Sequence, residues 1–177
     1  MQSDLCRDHF AIDEDALIAS ARDDDVVLVN APMLDFNIGD QRRRLPNAVR
    51  GLYSLLDAGH RVYVHCTAGL NRAPLAVLGF LTFIEQQSVE GAMQTIRAGR
   101  PQADPSFEAY DGCRRDLADL LHDHIYVRAY YLSEEDGDRD ADANWTIAER
   151  DVIRGTFVNP FVFPRRRLDP NREIDDG

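Results

Sequence analysis

The chain of 177 residues carries 31 acidic against 20 basic side chains, a net charge of −11, with 44% hydrophobic and 29% charged residues. That balance suits one domain with a core of its own plus an appendage, and it argues against nucleic acid or an anionic membrane as a partner. No apolar run reaches the ~18 residues of a membrane span, no secretory or transit segment is visible at the N-terminus, and three cysteines in no framework spacing fit a reducing compartment.

Taken in order, Asp13 reads as the cap of a helix through Glu14 to Ala21, with Ala16, Leu17 and Ala21 as its inner face. Val26-Val27-Leu28-Val29 reads as a buried strand. The stretch Ala31 to Asp40 then falls where α/β sheets place their sites, at the C-terminal end of a strand. Arg42-Arg43-Arg44-Leu45-Pro46 leads into a helix from Asn47 to Ala58, which Gly59 ends. Val62 to Val64 is the next strand, and Leu75 to Ile84 is a helix that is apolar almost all round. Ser88 and Ser106 open two further helices. The order of helix, strand, helix, strand, helix predicts an α/β fold with a mostly parallel sheet.

Between the second strand and the apolar helix stands His65-Cys66-Thr67-Ala68-Gly69-Leu70-Asn71-Arg72-Ala73-Pro74. A thiolate is the nucleophilic form of cysteine. A loop of inward-pointing amides at the positive end of a helix favours that anion and forms an oxyanion site. Cys66 is therefore the candidate nucleophile. The amides of Thr67, Ala68, Gly69, Leu70, Asn71 and Arg72 would cradle a phosphate, and the Arg72 fork would grip two of its oxygens. Gly69 lets the loop curl, and Pro74 suits the first turn of the helix. Cys6 and Cys113 read as buried or bystander thiols.

This run resembles the cysteine-dependent dual-specificity phosphatases. More narrowly, Cys66-Thr67-Ala68-Gly69-x-x-Arg72-Ala73-Pro74 is similar to the plant and algal glucan phosphatases, the starch-excess-four and like-starch-excess-four group. Asn71 departs from the glycine usual there. The resemblance implies the dual-specificity fold over residues 1–122, with a sheet that lacks the family's N-terminal strands. It also implies hydrolysis of phosphate monoesters on α-glucan such as starch, with no cofactor or metal. Ala73 replaces the hydroxyl residue of most protein phosphatases in the superfamily.

The leaving alkoxide needs a proton donor, and Asp35 and Asp40 are the candidates. Asp35-Phe36-x-x-x-Asp40-x-Arg-x-Arg-Leu-Pro is similar to the group's acid loop, one residue shorter, and aligned position by position the acid falls on Asp35. The same resemblance puts aromatic glucan contacts at Phe36 and, in His9-Phe10-Ala11-Ile12-Asp13, at Phe10. The aromatic it would place before the last helix is absent, since Ala103-Asp104-Pro105 stands there.

Beyond the phosphatase part, residues 123–143 read as an acidic linker region, with Ile125 to Leu132 open as either a strand or a continuation of the preceding helix. Residues 144–177 read as a helix, Trp145 to Arg154 behind an Asn144 cap and stopped by Gly155, and a tail bearing Arg165-Arg166-Arg167. That helix loosely resembles the C-terminal segment of the like-starch-excess-four proteins. The compartment implied by the resemblance is a plastid, with the cytosol as the alternative; the oligomeric state is open. Two rivals share the same loop: a dual-specificity protein phosphatase, and a catalytically weak scaffold that binds glucan or phosphoprotein.

Overall fold

A computed structural model describes residues 4–159 of the protein. Its elements are the helices α1 (Asp4–His9), α2 (Glu14–Asp23), α3 (Ile38–Asp57), α4 (Arg72–Phe83), α5 (Val89–Gly99), α6 (Phe107–Leu120), α7 (His122–Glu135) and α8 (Ala141–Val158). They form two compact units, one ending at Asp116 and the other beginning at Leu117. No helix among the described residues is long and apolar enough to cross a membrane. The side chain of Cys6, and the tail with Arg165 to Arg167, lie outside what is described.

Short polar side chains start several of these helices, because the first-turn N–H groups need acceptors. The Asp13 carboxylate accepts from the Ala16 N–H, the Ser88 hydroxyl from Gly91, and the Ser106 hydroxyl from Ala109. Helix α3 starts well before the sequence reading placed it, at Ile38 rather than Asn47, and runs through Pro46. The Asn37 side chain caps it by accepting from the Asp40 N–H at 2.8 Å. Gln41, Leu45, Ala48, Val49 and Leu52 then lie on its buried face, at spacings of three and four that carry one stripe through the proline.

The core of the first unit lies between α3, α4 and α5. Met33, Leu45, Val49, Leu75 and Leu78 are fully buried there, each contributing about 1.5–3 kcal/mol of hydrophobic stabilisation. Gly79 lets α4 press onto α3, since a β-carbon at that position would stand 2.7 Å from Val49 Cγ2. Phe83 of α4 stacks on Tyr110 of α6 at a centroid distance of 5.4 Å. Arg42 of α3 makes a two-pronged ion pair with Asp116, and its stem lies over Gly112. These contacts fix α4 against its neighbours, and the site is built at its N-terminus.

The predicted sheet is not seen among the described residues: neither Val26 to Val29 nor Val62 to Val64 is a strand. The residues of the first segment, expected to be buried, are 42–56% exposed. β-branched residues favour extended backbone, but a strand exists only where a neighbour pairs with its N–H and C=O groups.

In the second unit α7 packs on α8, burying Ile125, Leu132, Ala148, Val152, Ile153 and Phe157. Arg128 pairs with Asp151 at 3.0 Å, and the His122 ring lies 5.5 Å from that of Trp145. Much of the expected acidic linker is therefore helix, and only 136–140 separates α7 from α8. Helix α8 is capped not by Asn144 but by Asp140, which accepts from the N–H groups of Asp142 and Ala143. Asn144 is instead a buried helical residue accepting from Arg139, and the helix continues past Gly155 to Val158.

Candidate active site

Three local features assemble the site: the end of the extended segment at Cys66, the loop 67–71, and the first turn of α4. Cys66 is buried at 7% exposure. Gly69 has φ +69°, a left-handed conformation that strains residues bearing a β-carbon. Among the described residues, no acceptor is paired with the N–H groups of Thr67, Ala68, Gly69, Leu70 or Asn71. The loop thus offers a run of free donors beside a thiol, at the positive end of a helix.

Arg72 is the first residue of α4 and has no exposed surface. A buried guanidinium needs partners on its N–H groups, and three surround it. Its Nη2 donates to Asp35 Oδ2 at 2.9 Å and to Thr67 Oγ1 at 3.0 Å, and its Nη1 donates to the Met33 carbonyl at 3.3 Å. The structure therefore brings Asp35, Thr67 and Arg72 together next to Cys66, across 37 positions of chain for the Asp35 pair.

The two candidate acids have different surroundings. Asp40 is 5% exposed, and both of its oxygens are engaged: Oδ2 accepts from the Leu34 N–H at 2.7 Å and Oδ1 from Arg44 Nε at 2.8 Å. It fastens the acid loop to α3. Gln41 does the same from the other side, donating to the Leu34 carbonyl at 3.1 Å. Asp35 stands at the tip of that fastened loop, one-third exposed and paired with Arg72.

Phe36 follows at once, with φ +55° and 89% of its surface exposed. An aromatic in left-handed backbone costs about 1–3 kcal/mol, and here no packing offsets it. Phe10 is also exposed, edge-on to His9 at 4.8 Å, and among the described residues no ring contact or hydrogen bond joins it to the loop around Cys66. Phe36 thus stands exposed next to Asp35 in the chain, and Phe10 stands exposed beside His9.

Several neighbours carried no signal of their own in the sequence. Arg100 donates through Nη2 to the Ala68 carbonyl at 3.0 Å, and the Asp104 N–H donates to the Leu70 carbonyl at 2.8 Å. Tyr63, 87% exposed, stacks on His65 at 5.7 Å.

The family model described as the dual specificity phosphatase catalytic domain matches residues 12–111. The chain belongs to the dual-specificity phosphatase family. Membership implies the family's fold, and the loop from Cys66 to Arg72 falls inside the matched span. Among similar proteins, phosphoglucan phosphatase DSP4, amyloplastic, of Castanea sativa is 32% identical over 121 residues, covering 67% of this chain and 31% of that protein. Laforin of Mus musculus is 32% identical over 87 residues, 49% of this chain and 26% of laforin. Dual specificity protein phosphatase 22 of Mus musculus is 26% identical over 114 residues, 63% of this chain and 60% of that protein. The chain thus spans about a third or less of the first two.

Proposed function

We propose that this domain hydrolyses phosphate monoesters on an α-glucan through a phosphocysteine intermediate. The chemistry is supported by the cluster of Cys66, Arg72, Thr67 and Asp35 around free loop amides. In the first step the Cys66 thiolate attacks phosphorus. The S–P bond forms as the P–O bond to glucose breaks, and Asp35 gives its proton to the leaving alkoxide. In the second step water attacks phosphorus, Asp35 takes a proton from it, and thiolate and inorganic phosphate are released. Arg72 and the amides of residues 67–72 hold the non-bridging oxygens throughout, supplying the positive charge that the transferring group needs.

The resting pair between Arg72 and Asp35 fits this sequence. An entering phosphate dianion takes the place of the carboxylate on Arg72, leaving Asp35 free to carry the proton. The observation that carries the choice of glucan is Phe36, an aromatic held out into solvent at the mouth beside the acid. A sugar face stacks on such a ring and buries C–H surface there. The names of the Castanea protein and of phosphoglucan phosphatase LSF1, chloroplastic, of Arabidopsis thaliana, 28% identical over 115 residues, point the same way. They also make a plastid the compartment proposed for this chain.

A second reading, a protein phosphatase, draws on the likeness to dual specificity protein phosphatase 22. Phosphate release from phosphorylated amylopectin and from an aryl phosphate separates the two. The glucan reading expects both activities, both lost in Cys66→Ser, with Phe36→Ala lowering the amylopectin rate about tenfold or more and sparing the aryl ester. Activity on the aryl ester alone would favour the protein-phosphatase reading. Amylopectin binding without turnover of either substrate would favour a scaffold.

A further inference from the structure

The loop between α5 and α6 touches the phosphate loop at three points, and the chemistry of these contacts is consistent. Arg100 Nη2 donates to the Ala68 carbonyl at 3.0 Å. The Asp104 N–H donates to the Leu70 carbonyl at 2.8 Å. Asn71 Nδ2 donates back to the Asp104 carbonyl at 3.3 Å. Two alternate carbonyls of the phosphate loop are thus tied outward, while the N–H groups of residues 67–71 are left without a protein acceptor.

A peptide group is rigid, so fixing its carbonyl fixes the direction of the N–H on the other side of the same plane. The Ala68 carbonyl shares its plane with the Gly69 N–H, and the Leu70 carbonyl with the Asn71 N–H. Holding those two oxygens on the α5–α6 side aims the Gly69 and Asn71 donors away from it. Gly69 itself takes φ +69°, and a β-carbon there would meet Arg100 Nε only at ordinary contact, 3.7 Å, so glycine serves the left-handed backbone rather than the space.

The anchor is itself held. The Arg100 N–H closes the end of α5 on the Ile96 carbonyl at 2.8 Å, and the Ala103 N–H returns to the Arg100 carbonyl at 2.9 Å. Ala103, where the resemblance led one to look for a substrate-binding aromatic, is 2% exposed and forms the inside of this turn.

We infer that Arg100 is a positioning residue for oxyanion binding, clamping the Ala68 peptide from outside so that the phosphate-loop donors converge on the bound phosphoryl group. It rests on the phosphatase reading of the loop and is independent of whether the substrate is glucan.

Tungstate serves as the probe, since it occupies an oxyanion site without needing turnover. In Arg100→Ala, tungstate affinity falls about ten- to a hundredfold, the loss set by one charge-assisted hydrogen bond, and kcat/KM for an aryl phosphate falls in parallel. Arg100→Lys, which keeps a donor at reduced geometry, recovers part of both. Arg97→Ala removes an exposed arginine from the last turn of α5 and leaves both unchanged. Thermal melting without tungstate confirms that each variant is folded. Full tungstate affinity in a folded Arg100→Ala protein would overturn the inference. So would an equal loss in Arg97→Ala, which would reduce the effect to net charge. Loss of amylopectin turnover alone, with tungstate binding intact in the parent, would count against the glucan reading and leave the clamp standing.

Discussion

Cys66 and Cys113 are both buried, to 7% and 1% exposure, and their surroundings differ in kind. Cys66 ends an extended segment and is followed at once by a loop of unpaired amides and the buried Arg72. Cys113 lies within α6, where burial pushes its thiol up to about 12; the nearby Asp116 carboxylate adds to the rise and Arg42 opposes it. Burial by itself disfavours a thiolate. What separates a reactive cysteine from an inert one is the set of donors around it, and here that set is supplied by backbone geometry rather than by a general field, since the chain as a whole is strongly acidic.

The largest effect that tests this contrast is alkylation. Iodoacetamide at mildly alkaline pH abolishes activity in step with labelling of Cys66, while Cys113 in the folded protein stays unlabelled, as mass spectrometry of the peptides would record. Tungstate slows the Cys66 reaction. Labelling of Cys113 at a comparable rate would show that its helix opens readily and would remove the contrast.

The two aspartates of the acid loop repeat the contrast with carboxylates. Asp35→Asn removes the proton donor, so turnover of a glucose ester falls about 10²- to 10⁴-fold. An aryl phosphate, whose leaving group needs little protonation, falls far less, and the melting temperature falls modestly, because the amide oxygen still accepts from Arg72 but the counter-charge is lost. Asp40→Ala does the reverse. It leaves the part-buried Leu34 N–H without its acceptor, while the exposed Arg44 turns to water, and costs about 1–3 kcal/mol of stability. Its catalytic defect is the smaller one and follows from slack in the loop. If Asp40→Ala lost the glucose ester and kept full stability, the two roles would have to be exchanged.

What was legible in the sequence was what neighbours in the chain decide. The phosphate loop is one continuous run, and the helix that follows it from Arg72 is set by adjacent residues. The caps at Asp13, Ser88 and Ser106 each act within three positions. The start of α3 was hidden by Pro46, which reads as a beginning; the stripe of Gln41, Leu45 and Val49 was present and would have revealed the earlier turns. The different surroundings of Asp35 and Asp40 were only half legible, because the partner of Asp35 is Arg72, 37 positions away. Arg100 was silent for the same reason, its partner lying 32 positions back. The expected strands at Val26 to Val29 and Val62 to Val64 rested on residue type and element order, and the pairing that would make them strands is not seen among the described residues, because pairing is a property of two segments.

The smallest effect concerns Cys113 and stability at high pH. Its folded value of about 12 stands above an ordinary value near 9, so the native state keeps a proton that the unfolded chain gives up. Stability from this source is fully present below pH 9 and is lost as the pH climbs toward 12, by about 1.4 kcal/mol per unit in between. Tyr110, also raised by burial, adds a loss of the same sign above its own ordinary range, so the parent curve alone does not isolate the thiol. Denaturant unfolding of the parent and of Cys113→Ala at pH 8, 9.5 and 10.5 does. The variant starts lower, because it leaves a small cavity in the core. The gap between the two then narrows as the pH rises, since only the parent loses the thiol's contribution, whereas a constant gap would mean that Cys113 is no better shielded than a cysteine in the unfolded chain.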